Sequence, residues 1–491
     1  MTSRVLTLAA AFVAMQLTGC AVFRSYDTEL QETNQHLSSG NVDAALALLE
    51  KNNTGEEKDL LYYFEKGELL RSKGDLTGSQ LAWRQADGLV FQWEESVKLD
   101  TDKYLSQFGS YLVNDKIRRY EGYDYEKVML TTQMALNLLA QNDFDGARTE
   151  IKKTHEREAL IAELRDKEYL KREEEADKEG IKTQYKDLQG YPVAALDAPE
   201  VIGLKNSYQS AFSHYLSGYV YEALGEKGLA APGYRKAAEL LPNTPLLEQA
   251  LLELDQPAEA AADPAPAKGK NKGKSKTKVK EVVQAKEKNA DSDVLIVVQS
   301  GLAPARGAMN IPLPLVISDN LVIIPLSFPI IREDASTAHI GQVQLDNKAL
   351  TLTTLNSTSA MSRRALRDDM PGIILRTSVR AVTRAVTQKK LNEVNPLASL
   401  AVGIASAITE GADTRTWRTL PNETLVARVR LSQGEHQLNL PSGLGGIKVA
   451  LKVDRPYQVV SLRVVGNQVF TAGAARLVTP PAPAAAIATL K

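Results

Sequence analysis

Three arginines, Arg376, Arg380 and Arg384, recur every four residues within MPGIILRTSVRAVTRAVTQKKLNE. On a helix that spacing places them on one face. Each guanidinium offers a planar fork of N–H donors, so three on one face suit an anionic ligand or an acidic partner. Pairing with Asp368, Asp369 or Asp413, or plain solvation, is the structural alternative. A second cluster is Asp413, Arg415 and Trp417. It reads as a turn-borne ion pair stacked on an indole that fixes a loop at a strand entrance, with ligand binding as the alternative.

Other chemistries lack their residues. The run GLGG at 443–446 has no Lys-Ser/Thr after it, so it is no phosphate loop. No Gly-x-Ser-x-Gly elbow occurs. The five histidines, His36, His155, His214, His339 and His436, fall in five separate segments with no metal-ligand spacing. One cysteine excludes an intrachain disulfide and a cysteine-built zinc site. The expectation is a protein that is not an enzyme and holds no metal and no cofactor. A hydrolase built on two distant carboxylates leaves no local signature and stays as a third reading.

Fifty-nine basic residues against sixty acidic ones give a net charge of -1, which argues against a nucleic-acid partner. The 491 residues, 43% of them hydrophobic, suffice for about three domains.

The first segment, MTSRVLTLAAAFVAMQLTGC, has a positive Arg4 and a short apolar stretch, as an export signal does. It ends in Leu17-Thr18-Gly19-Cys20, which resembles a bacterial lipobox. The resemblance implies cleavage after residue 19, acylation of Cys20 and insertion of its acyl chains in a bilayer. Ala21 rather than Asp follows, which by the sorting rule of such lipoproteins implies the outer membrane, facing the periplasm.

These residues need elements to carry them. Residues 20–254 read as all-α helical repeats. The clearest unit, 211–244, resembles a tetratricopeptide repeat: Gly218, Tyr221, Gly225, Ala230, Tyr234, Ala237 and Pro242 fall at that family's spacing. Small residues there let two antiparallel helices approach, aromatics fill between them, and Pro ends the second helix. Weaker copies cover 26–59, 60–93 and 128–161, and 94–127 has room for a further helix pair. The run 150–179, with eleven acidic and eight basic residues, reads as a solvated helix with pairs such as Glu168–Arg172.

Residues 255–292 lack apolar periodicity and read as a disordered linker. Its stretch Lys268–Lys288 holds nine Lys and two Glu, suited to peptidoglycan carboxylates or anionic lipid, or to plain solvation. Residues 293–478 read as a β-rich, sandwich-like domain with a helix pair about 372–410. VLIVVQSG suggests a strand buried on both faces. The prolines at 312, 314, 325 and 329 push two later strands toward edges. TWRTLPNETLVARVRLSQGEHQLNL reads as a return to strand. The tail 479–491 reads as disordered. The whole is an α+β multidomain chain.

Gly301-Leu302-Ala303-Pro304-Ala305-Arg306, Pro371-Gly372-Ile373-Ile374 and Ala412-Asp413-Thr414-Arg415-Thr416-Trp417 together resemble a bacterial family of tetratricopeptide-containing outer-membrane lipoproteins of unassigned activity. Members are often encoded beside lipoproteins of the penicillin-binding-protein activator type. The resemblance implies a cell-envelope role and assigns no catalytic residue. The leading expectation is a lipid-anchored periplasmic scaffold that binds protein partners through its repeats. The alternative is a regulator of peptidoglycan synthesis contacting a cell-wall synthase.

Overall fold

Helical hairpins build the N-terminal half because small and large side chains recur at a fixed separation. The computed structural model describes residues 26–108, 119–255, 291–317, 320–335, 337–394 and 411–478. Cys20, the Lys268–Lys288 stretch, the expected helix at 397–408 and the tail from 479 lie outside the described residues. Helix α1 (Tyr26–Ser38) pairs with α2 (Val42–Asn52), and α3 (Leu60–Lys73) with α4 (Leu76–Leu99). After the short α5 (Thr101–Phe108) come α6 (Asp124–Ala140) and α7 (Phe144–Glu179), then α8 (Ala211–Ala223) and α9 (Lys227–Leu240), and α10 (Pro245–Asp255) closes the series.

Gly67 faces Trp83 and Gly218 faces Tyr234, in each case 16 positions on. A Cβ on Gly67 would lie 2.2 Å from the indole nitrogen, and one on Gly218 would lie 2.5 Å from the phenol ring. Ala135 with Ile151 and Thr33 with Leu49 hold the same separation and are buried too. The hairpin turns share a chemistry as well. Asn41, Asp75 and Asp143 each cap the second helix by accepting the N–H three residues on. Gly74 and Gly225 turn the chain at φ +87° and +77°, where a side chain is disfavoured.

The expected unit at 211–244 is such a hairpin, with Tyr221, Ala230, Tyr234 and Ala237 buried and Pro242 just past the end of α9. The three weaker copies are hairpins too. In the stretch 94–127, α4 runs on to Leu99 and α5 follows, and residues 109–118 lie outside the described residues. One expectation gives way. The charge-dense run is the distal part of one 36-residue helix, α7, but it is not simply solvated. Arg157, Glu158 and Glu168 are buried, and Glu168 pairs with Arg165 rather than Arg172.

The C-terminal half is a sandwich of two five-stranded sheets, β11-β10-β1-β7-β6 and β12-β9-β8-β4-β5. The first holds β1 (Ser292–Ser300), β6 (Thr353–Ser357), β7 (Glu423–Leu431), β10 (Tyr457–Val465) and β11 (Gln468–Ala472). The second holds β4 (Gln342–Leu345), β5 (Lys348–Thr351), β8 (Gly434–Asn439), β9 (Lys448–Val453) and β12 (Ala475–Leu477). Strands β2 (Ala305–Ile317) and β3 (Asn320–Arg332) pair with each other as a separate ribbon. Its four prolines explain why it joins neither sheet, since each removes a ladder donor.

The apolar run of β1 has a direct cause. Val294, Ile296 and Val298 point between the sheets, whereas Leu295 and Val297 point at Phe212, Tyr219 and Leu139 of the helices. The first sheet is thus a middle layer, with helices on one face and a second sheet on the other. The repeats wrap the sandwich, and the two halves share a core.

Helix α11 (Thr358–Val394) begins well before the expected start at 372 and passes through Pro371. The start signal is Ser357, whose hydroxyl accepts the Ala360 N–H at 3.3 Å. Pro371 looks like a first-turn proline from sequence. It sits mid-helix because Leu366, Met370, Ile373 and Ile374 are buried against Leu326 and Phe328 of the ribbon, which offsets the lost hydrogen bond. The other correction concerns 416–422. The return to strand is expected from Thr416, but these residues form an irregular buried segment, and β7 starts only at Glu423.

Candidate functional site

The segment 416–419 runs along the inner face of the repeats, and two buried glutamates hold its backbone. Glu126 on α6 accepts the Trp417 N–H at 2.7 Å and the Thr416 hydroxyl at 2.9 Å. Glu65 on α3 accepts the Arg418 N–H at 2.7 Å, and the Thr419 N–H at 3.0 Å. Trp417 fills the gap between these helices, stacked on Phe64 at 4.4 Å and edge-on to Trp83 at 6.0 Å. Burial pushes the Glu65 carboxyl up to about 7 against the lowering effect of the hydrogen bonds it accepts. Burial also raises Glu126.

A polar seam extends this joint along the middle sheet. Arg71 donates to Gln299 at 2.6 Å and to Ser461 at 2.7 Å. Arg463 donates to Glu68 at 2.9 Å. Arg428 reaches Asp293 at 2.6 Å and Glu222 at 2.8 Å. Arg71, Glu68, Gln299, Ser461, Arg463 and Asp293 are buried, and these contacts cross the junction of the two halves.

Beside this seam lies a cavity of about 160 Å³. Its walls come from the 119–123 segment, α7, the β2–β3 ribbon, α11 and the start of the 411–422 segment. Seven basic side chains and four carboxylates line it, a surplus of three positive charges. Arg376 and Arg380 enter from α11, Arg306 from the ribbon and Arg415 from the irregular segment. Arg306 is 3% exposed, and its guanidinium lies 4.0 Å over the Tyr123 ring. Its Nε and Nη1 are buried without a hydrogen-bond partner. Other cations there are already engaged. Arg165 bonds Asp124 at 2.6 Å and pairs with Glu168. Lys127 sits 3.6 Å over Trp93 and 3.5 Å from Asp124, and burial lowers its ammonium. Burial also raises the Asp369 carboxyl.

Of the three arginines that share a face of α11, the structure therefore brings Arg376 and Arg380 to one cavity. The side chain of Arg384 lies outside what the structure describes. Asp413 and Arg415 do form an ion pair, at 2.7 Å, but Arg415 lies over Tyr120 at 5.3 Å while Trp417 stacks elsewhere. The stack on Trp417 expected for this pair is thus replaced by one on Tyr120. Gly218, Tyr221, Ala230, Tyr234, Ala237 and Pro242 serve the hairpin. Sequence reasoning missed Glu65, Glu126 and Arg165, which look like ordinary helix-surface charges until the partner segment is in place. Tyr120 and Tyr123 stood in a stretch whose aromatic density was a usable signal.

The scattered histidines are not all apart in space. His155 stacks on His214 at 5.1 Å, and His214 meets Glu158 at 3.0 Å. Among the described residues no three His, Cys, Asp or Glu side chains group as a metal site requires, and no helix is long and apolar enough to cross a membrane.

No family model matches the chain, and no curated protein matches it. Among solved structures, a tetratricopeptide repeat protein from Parabacteroides merdae aligns over 47% of this chain and 98% of its own. The identity is 13% and the TM-score 0.13, so this likeness carries no argument. The helical-repeat architecture rests on the hairpins themselves.

Proposed function

We propose that this chain is a lipid-anchored adaptor of the bacterial envelope, held to the outer membrane through acylated Cys20 and facing the periplasm. The lipobox-like segment and the family resemblance support the address. The observation that supports the binding role is the clamp at Glu65 and Glu126. Two neighbouring repeat units each present a buried carboxylate to the backbone N–H groups of an irregular peptide segment. A groove that grips backbone rather than side chains suits peptide recognition. Here the gripped segment is the chain's own, so a protein partner is met on the faces the sandwich leaves uncovered. The alternative partner, a cell-wall synthase, is tested by the same experiment.

The test is in-cell crosslinking and recovery with the lipidated full-length protein, with Cys20→Ser as the mislocalised control. One envelope protein recovered with the wild type and lost with the control is the expected result. A cell-wall synthase as that protein selects the regulator form of the reading. Recovery of the chain alone, or an identical set from the control, overturns the adaptor reading.

A further inference from the structure

We infer that the cavity between α7, α11 and the β2–β3 ribbon is a binding site for a phosphate group on a small polar ligand, with Arg306 at its floor. This goes beyond the adaptor reading and does not depend on it.

The argument starts from Arg306. A guanidinium that is 3% exposed, with two nitrogens lacking any partner, is an expensive arrangement. The Tyr123 ring beneath it offers a face to the positive charge but accepts neither N–H in the plane of the guanidinium. The buried Arg71, Arg157 and Arg463, and Arg428 beside them, all reach acceptors. Arg306 differs in lining a cavity, so its donors face a space where an acceptor fits.

The surroundings fix the class of that acceptor. The lining carries a surplus of three positive charges, so it favours an anion, and one of charge two over one of charge one. Guanidinium groups arrive from three elements: the ribbon (Arg306), α11 (Arg376, Arg380) and the 411–422 segment (Arg415). A carboxylate presents two oxygens in one plane, which a single fork saturates. A phosphate monoester presents three charged oxygens tetrahedrally and accepts forks from several directions. The volume, about 160 Å³, is of the order that holds one benzene molecule, about 150 Å³. Phosphate alone leaves room there for a short substituent. Free phosphate and a small phosphomonoester share this chemistry.

The test is titration calorimetry on the mature full-length protein in detergent, with inorganic phosphate, glycerol 3-phosphate, glycerophosphoglycerol and malonate as probes. Saturable binding of glycerol 3-phosphate, at least as tight as inorganic phosphate, is the expected result. Glycerophosphoglycerol, a singly charged diester with two free oxygens, bound more tightly than either overturns the proposal. Arg306→Gln is expected to weaken binding at least tenfold, and Arg306→Lys to restore it only in part. The unliganded melting temperature of Arg306→Gln should stay level or rise, because a buried unpaired charge has gone. A residue with a purely structural role would lower it. Should Arg306→Gln fail to fold, the half-buried Arg376→Gln carries the same tenfold expectation. No saturable heat with any phosphate probe, affinity unchanged in the variants, or malonate bound more tightly than the phosphates overturns the proposal.

Discussion

The Glu126 carboxylate accepts the backbone N–H of Trp417 at 2.7 Å, joining positions 291 residues apart. The same carboxylate accepts from Thr416, Tyr120 and the Tyr123 backbone. Removing it leaves several buried donors without an acceptor, each costing about 1–3 kcal/mol. Glu126→Ala is therefore expected to lower stability by about 3–5 kcal/mol in denaturant unfolding. It should also speed amide exchange at 416–419 more than at β1. Equal exchange at both would mean that the segment is held by Trp417 packing alone.

Two glycines in neighbouring helices should respond with opposite signs to the same substitution. Gly67 lies under Trp83, where a Cβ would come within 2.2 Å of the ring, and Trp83 is fully buried. Gly67→Ala must displace the indole and should cost about 1–3 kcal/mol. Gly88 is an exposed position in α4 with nothing within 4 Å of a built Cβ. Gly88→Ala should stabilise by about 0.5–1 kcal/mol through helix propensity alone. Thermal melts of the two variants check both signs.

These positions also show what local pattern can and cannot carry. Gly67, Trp83, Gly218 and Tyr234 are legible because hairpin packing repeats along the chain, and β1 because burial on both faces removes every polar residue from its centre. The clamp is not legible, since Glu65 and Glu126 look like helix-surface acids until residues 416–419 lie against them. The same contact explains why 416–419 is not part of the strand that follows: its backbone donors go to carboxylates instead of a neighbouring ladder. Pro371 misplaced the start of α11 because packing against the ribbon overrides its local preference. The arginines of α11 pointed to the cavity, but Arg306 stands alone in sequence, and only the fold brings it to them.

Arg428 tests how firmly the halves are joined. Its side chain is 8% exposed, and it bonds Asp293 of β1, Glu222 of α8 and the Tyr234 hydroxyl together. Arg428→Met would strand two carboxylates with little solvent access, an effect of about 3–5 kcal/mol. The triple variant with Asp293→Asn and Glu222→Gln should recover a large part of the loss, because the stranded charges have gone. No recovery would show that the stem packing of Arg428, and not its charge, carries the joint.

Glu65 sets a pH dependence of known sign. Its carboxyl is raised from 4.5 to about 7 by burial in the folded chain, and in the unfolded chain it returns to the ordinary value. Between these two values only the folded state holds the proton, so stability falls as pH rises from about 4.5 to about 7. Below this window both states are protonated, and above it both are ionised. A shift of about 2.5 units corresponds to about 3 kcal/mol. Glu65→Gln cannot titrate, so other groups cancel when the two proteins are compared at each pH. The wild type should lose about 3 kcal/mol relative to the variant across the window, read from denaturant midpoints. A constant difference between them would show that Glu65 stays ionised throughout, held so by the Arg418 and Thr419 donors that surround it.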